Sequence, residues 1–330
     1  MDPIKLPSNQ PTTFYKGGDQ ISNFRNEPKN SSPLKSEDWI ASCTHSHGAE
    51  TIGQSKLPDG RFLKDEIEAN PEQWLGSEHI KDWGVDSKLL VKLIDPGQRL
   101  PIHAHPHRDW ATVHLGTKHG KAEAWYILTP GEVFVGLKKD ITAKEILPLV
   151  ENQEIDTMLS MLHRIPVETN QTVYVPAGTL HAIGKGVMVA EVQEPEDLSI
   201  LLEWRDFEID GAKEGHLGLG FEKALSGVDL TKRTEREVAG LVSGENKYGS
   251  VFVQESNEYF ILERLKVDSK EQCRPGFAIL ITLDGKLEME YRDGKTMSVE
   301  KGETVVIPYA AGNFVLRGAG EVLIARPPPK

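Results

Sequence analysis

VETNQTVYVP at residues 167–176 returns as VEKGETVVIP at residues 299–308, at a constant offset of 132 positions. The Val, Glu, Thr, Val and Pro positions are identical in the two copies. Each copy is a short run rich in β-branched residues that ends at a proline, as a strand does. Small residues and a further strand-like run follow both. The chain therefore contains two versions of one β unit. Around them lie short β segments broken by Gly, Pro and Asp, which predicts a mainly β protein of sandwich or barrel type.

Two stretches depart from this pattern with helical spacing. Residues 64–83 carry Ile67, Trp74, Leu75 and Ile80 among Glu and Lys, and residues 142–163 carry Ile146, Leu149, Ile155, Met158, Leu159 and Leu162. The second starts at Thr142 with Glu145 three residues later, the pattern of a capping box. Trp39–Ser42 and Leu89–Ile94 read as strands, and CTHSHGAETIGQ (residues 43–54) as a polar loop. Residues 1–35, rich in Pro, Asn, Ser and Gly, read as an arm or loop.

The chemistry gathers near the first copy. His103 and His105 in LPIHAHPH are two apart, so on a strand both leave the same face. Glu123 opens the alternating run Ala122–Leu128, and His181 follows a Pro-Ala-Gly turn behind Thr172–Val175. Imidazoles and one carboxylate gathered from three strands form a set suited to a divalent transition metal with positions left for substrate. At the offset of 132, His181 becomes Asn313, and nothing between 260 and 290 supplies an HxH pair. The second copy is thus read as structural. This divides the chain into a metal-bearing unit over 1–235, which includes both helical stretches, and a degenerate metal-free copy over 236–330.

Five of the eleven histidines fall between 103 and 119. His107 follows Pro106 and is expected on a turn, while His114 and His119 sit in the Gly-containing TVHLGTKHG. His45 and His47 form a second HxH without an acidic partner, and are read as polar loop residues.

Composition narrows the field. With 330 residues, 27% charged and 38% hydrophobic, the chain has room for two or three units. No apolar run approaches a membrane span, and the N-terminus lacks the basic and apolar regions of a secretory signal. Cys43 and Cys273 are the only cysteines, which favours a reducing cytoplasm over a disulfide framework. A formal charge of −12 argues against nucleic acid and anionic membranes as partners.

At GKAEAWYIL (120–128), YVPAGTLHAIGKGV (174–187) and AEVQEPED (190–197) the chain resembles the type I mannose-6-phosphate isomerases, particularly their short bacterial form. The resemblance covers roughly residues 14–326. It implies a cupin fold, with a metal-bearing jelly-roll barrel, a small helical insertion and a second, metal-free jelly-roll barrel. The family's Gln, His, Glu and His metal ligands fall on His103, His105, Glu123 and His181, so that imidazole replaces the usual amide at His103. That exchange favours zinc, cobalt, nickel or iron. The resemblance implies one divalent metal, zinc first, with cobalt, manganese, nickel or iron as alternatives. The family's lysine falls on Lys121 and its acids on Glu191 and Asp197.

Two positions depart from the family. Its active-site arginine is Leu201 here, and its His-Pro-Asn-Asp is His105-Pro106-His107-Arg108. His107, Arg108 and Arg205 are accordingly candidate substrate contacts, because guanidinium groups clamp phosphate and sugar oxygens.

The implied activity is aldose–ketose isomerisation, mannose 6-phosphate to fructose 6-phosphate or a closely related sugar, through a cis-enediol. Lys121, Glu191 and Asp197 would handle charge and protons. An isomerase of a non-phosphorylated or other anionic sugar, an iron-dependent cupin oxygenase and a non-catalytic sugar-binding protein are the alternatives. A small-molecule sugar partner and a homodimer are both compatible with the sequence.

Overall fold

The computed structural model describes residues 1–244 and 247–329. In chain order its strands are β1 (Ile4–Leu6), β2 (Glu37–Ile40), β3 (Leu90–Ile94), β4 (His103–Ala104), β5 (Glu123–Ile127), β6 (Gly131–Leu137), β7 (Leu162–Val167), β8 (Thr172–Val175), β9 (His181–Ile183) and β10 (Val189–Gln193). They continue as β11 (Ile200–Leu201), β12 (Val242–Ser243), β13 (Gly249–Ser250), β14 (Ile261–Val267), β15 (Lys270–Cys273), β16 (Ala278–Tyr291), β17 (Lys295–Glu300), β18 (Thr304–Ile307) and β19 (Phe314–Arg326).

Three sheets result. A six-stranded sheet runs β12-β8-β5-β10-β3-β2 and a five-stranded one β11-β4-β9-β6-β7. The third follows β1-β18-β16-β19-β14-β13, with β15 paired to β19 and β17 to β16. Every named strand pair is antiparallel, so alternate residues face in and out. In β3, β5, β8 and β10 every residue is buried on both faces, because other layers cover them.

The mainly β architecture and the repeat are as the sequence predicts. β7 and β17 end at Val167 and near Val299, and β8 and β18 stand 132 residues apart. The expected division at residue 235 is crossed twice. β1 pairs with β18 in the third sheet, and β12 pairs with β8 in the first. One apolar cluster also spans the junction, holding Tyr126 and Val173 with Phe260, Ile279 and Leu323.

The helical stretches are shorter than the periodicity suggests. Residues 64–83 form three pieces, Leu63–Ala69, Pro71–Trp74 and Ser77–Trp83. Pro71 bars its predecessor from helical geometry, and Gly76 at φ 86° turns the chain again. Within 142–163 the helix Ala143–Glu151 carries the capping box of Thr142 and Glu145, and Ile155–Ser160 follows after Gln153 at φ 51°. Leu162 and His163 open β7 instead of closing that helix. The strand expected at Trp39–Ser42 lies at Glu37–Ile40 and stops where Ala41 turns to φ 50°. The arm of residues 1–35 holds β1 and the helix Asp19–Arg25. A helix at Arg108–Leu115, capped by His107, occupies what reads as irregular sequence.

Candidate metal and sugar site

β5 and β10 lie side by side, with Glu123 opposite Gln193 and Trp125 opposite Glu191, while Glu191 also faces Lys92 on β3. Residues two apart share a face, so Glu123 and Trp125 point together into the space between the first two sheets. From the other sheet, His103 on β4 faces His181 on β9 and Leu201 on β11. His105 follows two residues on. A single cavity is lined by His103, His105, Glu123, His181, Lys121 and Glu191, together with Asp197, Lys92, Glu37 and Tyr15.

The three imidazoles are buried, with ring centres 4.1–4.9 Å apart. Each Nδ1 lies against a backbone carbonyl: His103 at 2.8 Å from Pro101 O, His105 at 2.7 Å from Leu198 O, His181 at 2.8 Å from Thr179 O. A carbonyl only accepts, so the proton belongs on Nδ1 and each Nε2 turns its lone pair inward, where that of His105 meets the Lys121 ammonium. Burial, followed by the neighbouring His181 and His105, holds His103 well below the usual imidazole range. Burial, followed by Lys121, pushes His105 down to about 3. Both rings are therefore neutral.

The Glu123 carboxylate spans two of them, Oε2 at 3.0 Å from His105 Nε2 and Oε1 at 3.2 Å from His181 Nε2. His181 Nε2 is buried without a hydrogen-bond partner. At His105 the Lys121 ammonium lies between lone pair and carboxylate, whereas the His181 lone pair faces Glu123 directly, and a cation there would relieve the repulsion. The three histidine ligand atoms fall within 4.8 Å of one another. Neutral imidazoles held by outer hydrogen bonds, with one carboxylate, are the donor set of a divalent transition metal. The residues fit that group.

Around this set the charges are paired. Lys121 Nζ lies 2.6 Å from Glu123 Oε2, 2.7 Å from His105 Nε2 and 4.0 Å from Glu191. Burial raises the Glu123 carboxyl, but Lys121, His105 and His181 outweigh it and hold it well below the carboxylate range. Trp125 Nε1–H donates to Glu123 Oε1 at 3.1 Å and to Glu191 Oε2 at 3.0 Å, which joins the two acids. The other Glu191 oxygen, the one 4.0 Å from Lys121, is buried without a hydrogen bond. Burial and then the Glu123 charge push Glu191 up to about 7, against Lys121 and Lys92. Asp197 goes the other way. Burial raises it, but Lys92 at 3.8 Å, Lys121, the His47 N–H and the Ser46 hydroxyl lower it.

Three residues of this cavity escape sequence reasoning. Lys92 sits 4.2 Å over the Trp39 ring and 3.2 Å from Glu37, and the Tyr15 hydroxyl donates to Glu37 at 2.5 Å. The signal was a lone lysine in the apolar run LLVKLI, since a buried lysine demands a partner.

The candidate substrate contacts lie elsewhere. His107 caps its helix by accepting from Asp109 N–H. Arg108 turns to Glu194 at 3.3 Å and Glu258 at 3.6 Å, 4.7 Å over Tyr259. Arg205 donates to Gln153 O on the surface. None of these three lines the cavity: His107 is taken up by its helix cap, and the two arginines by acceptors outside it. Of the remaining histidines, His45 is exposed, His47 meets Asp197 through its backbone, and His119 pairs with Asp86 at 2.6 Å.

Comparison with known proteins agrees with this geometry. The family described as mannose-6-phosphate isomerase, cupin domain, matches residues 250–327. A mannose-6-phosphate isomerase of Streptococcus mutans is 34% identical over 240 residues, 71% of this chain and 72% of that protein. Mannose-6-phosphate isomerase ManA of Bacillus subtilis is 27% identical over 288 residues, 84% of this chain and 86% of its own length. The crystal structure of the Bacillus subtilis mannose 6-phosphate isomerase superposes with a TM-score of 0.74 at 22% identity, covering 99% of this chain and all of that one. The S. mutans relative carries the sequence kinship and the B. subtilis structure the fold: this chain belongs to the mannose-6-phosphate isomerase family.

Proposed function

We propose that the protein interconverts mannose 6-phosphate and fructose 6-phosphate through a cis-enediol, with one divalent metal, zinc first, held by His103, His105, Glu123 and His181. The observation that carries this reading is the meeting of Lys121, Glu191 and Asp197 with the three imidazoles and Glu123 in one cavity. When bound, the metal supplies a Lewis acid for the sugar oxygens.

The residues divide the remaining work by their environments. From the aldose, a proton leaves C2 and its electron pair enters the C1–C2 enediol as O1 is protonated. A proton then returns to C1 as the O2–H proton departs, leaving the ketose. Glu191, with a buried oxygen that makes no hydrogen bond and a carboxyl raised to about 7, holds or releases a proton near neutral pH. Asp197, kept low by its cationic and hydrogen-bonded neighbours, stays ionised. Two carboxyls pushed apart in this way suit an acid and a base. Lys121 balances negative charge that develops on the enediolate.

The test is proton NMR of zinc-loaded protein with mannose 6-phosphate in deuterated water. Fructose 6-phosphate should form, with deuterium entering the sugar. Absence of both product and exchange overturns the reading. One observation favours a second substrate, an unphosphorylated aldose. Among the described residues the cations lining the cavity are Lys92 and Lys121, and both are already paired with carboxylates, while Leu100, Ile183 and Leu201 line it with apolar surface. Comparing kcat/KM for mannose and mannose 6-phosphate separates the two. The free cysteines and the acidic net charge support work in a reducing cytoplasm on a small sugar.

A further inference from the structure

The hydrogen-bond ladder between β5 and β10 ends at the Glu123–Gln193 pair. One residue beyond it the Glu194 side chain takes over. Its backbone N–H donates to Ala122 O at 3.1 Å, and its Oε2 accepts the Ala122 N–H at 3.0 Å. Ala122 stands between Lys121 and Glu123, so this carboxylate grips the peptide that joins a candidate proton-handling residue to a candidate metal ligand.

The carboxylate is itself buried and anchored. Its Oε1 lies 3.3 Å from the Arg108 guanidinium and 3.8 Å from His119 Nδ1, and His119 is in turn bound to Asp86. Arg108 stacks on Tyr259, beyond β13 in the chain. From the other side Lys121 N–H donates to Pro106 O at 3.1 Å. The approach is close enough that a Cβ on Gly120 would fall 2.4 Å from Arg108 N. Residues 120–122 are thus clamped from both sides by groups outside the cavity. What the clamp fixes is narrow: it sets Lys121 Nζ 2.6 Å from Glu123 Oε2. A displacement of about 1 Å at reacting groups can cost ~10²-fold in rate.

We infer that Glu194 is a positioning residue: held by Arg108 and His119, it fixes the Ala122 peptide and thereby the joint placement of Lys121 and Glu123. This rests on the metal and isomerase reading above. It gives Arg108 a task in the structure, as the cation that anchors the clamp.

The experiment compares full-length wild type, Glu194→Ala and Glu194→Gln by cobalt(II) titration, read in the visible absorption of the bound ion, and by kcat and KM for mannose 6-phosphate. Glu194→Ala should weaken cobalt binding and lower kcat by about 10–100-fold, the usual effect of losing an outer-shell partner, with KM within about twofold of wild type. Glu194→Gln, whose amide oxygen still accepts the Ala122 N–H, should recover cobalt affinity to within a few-fold. Wild-type cobalt affinity and kcat in Glu194→Ala, with only the melting temperature lowered, overturns the inference. If Glu194→Ala does not fold, Arg108→Met keeps Glu194 and removes its anchor. It should weaken cobalt binding less than tenfold but measurably, and unchanged affinity overturns the inference equally. Wild-type protein that binds cobalt but converts no sugar sinks the isomerase reading alone, because the cobalt titration still tests the clamp.

Discussion

The two copies of the repeated unit share a backbone and differ in what they enclose. β8 and β18 are each entered through a turn with one residue at positive φ, Asn170 at 73° and Gly302 at 83°. The residue paired with Val175 is Glu123, and the residue paired with its equivalent Ile307 is Ala278. By the same registers Trp125 corresponds to Leu280 and Glu191 to Ile324. Asn313 replaces His181. Ala278, Leu280 and Ile324 are buried in one closed apolar cluster. An apolar interior is favoured by burial alone, whereas a charged interior must be satisfied group by group. The backbone accepts either filling, and only the charged one does chemistry.

Exchanging the fillings should produce opposite failures. The largest effect is expected from His181→Asn, which installs the second copy's residue in the first. Cobalt binding and sugar turnover should both fall to background, and retention of either would break the correspondence. Glu191→Gln should come next, lowering kcat by about 10²–10⁴-fold, the usual worth of a positioned proton carrier. Steady-state kinetics on the zinc-loaded variant checks this. In the other copy, Leu280→Ala should leave kcat unchanged and reduce stability by about 2–5 kcal/mol, as removal of a buried leucine does. Urea unfolding followed by fluorescence measures it, and a parallel loss of kcat would show that the copies are not separate in function.

A smaller effect concerns pH. The Glu191 carboxyl is raised from 4.5 to about 7 in the folded, metal-free protein. The fold therefore binds this proton more tightly than the unfolded chain does, and contributes stability that is lost as pH rises from about 4.5 to about 7. The urea midpoint of metal-free protein should drop across that interval, and drop less in Glu191→Gln. Equal slopes would remove Glu191 as the source. The smallest contrast is in the turns. A Cβ at Gly302 would meet Phe24 O at 2.0 Å, so Gly302→Asn should destabilise by more than about 1 kcal/mol. Asn170→Gly forgoes only the hydrogen bond from the Tyr126 hydroxyl, a change of about 1 kcal/mol at most. Thermal denaturation of the pair ranks them.

What the sequence revealed and what it hid follow from range. The strand runs of β5 and β8, the capping box at Thr142 and the repeat are local patterns, and each emerges as read. The His103/His105 pair, Glu123 and His181 read as one set because a turn and two alternating runs placed them on inward faces, and they line one cavity. Tyr15 and Glu37 were not legible, because Glu37 enters the cavity from β2, whose pairing with β3 no local pattern announces, and Tyr15 from the irregular arm that precedes it. The helix Arg108–Leu115 buries only Ala111 and so shows no apolar stripe. Arg108, read as a candidate substrate contact, lies off the cavity for a related reason. Its partners Glu194 and Tyr259 lie far along the chain, and proximity in sequence to His105 says nothing about which acid a guanidinium will find.

The pairing of β1 with β18 sets an order of events. Ile4 meets Val306, and the Lys5 side chain grips Glu303, 298 residues away. Nearby, Arg25 reaches Gly302 O and the Thr304 hydroxyl. On the ribosome the early partner must wait for nearly the whole of this stretch to be synthesised. The two sheets around the histidines draw on strands from residues 37 to 243 and can close while it waits. Loss of residues 302–306 would remove the partners of Ile4, Lys5 and Arg25 together, and so loosen the early segment and the third sheet at once.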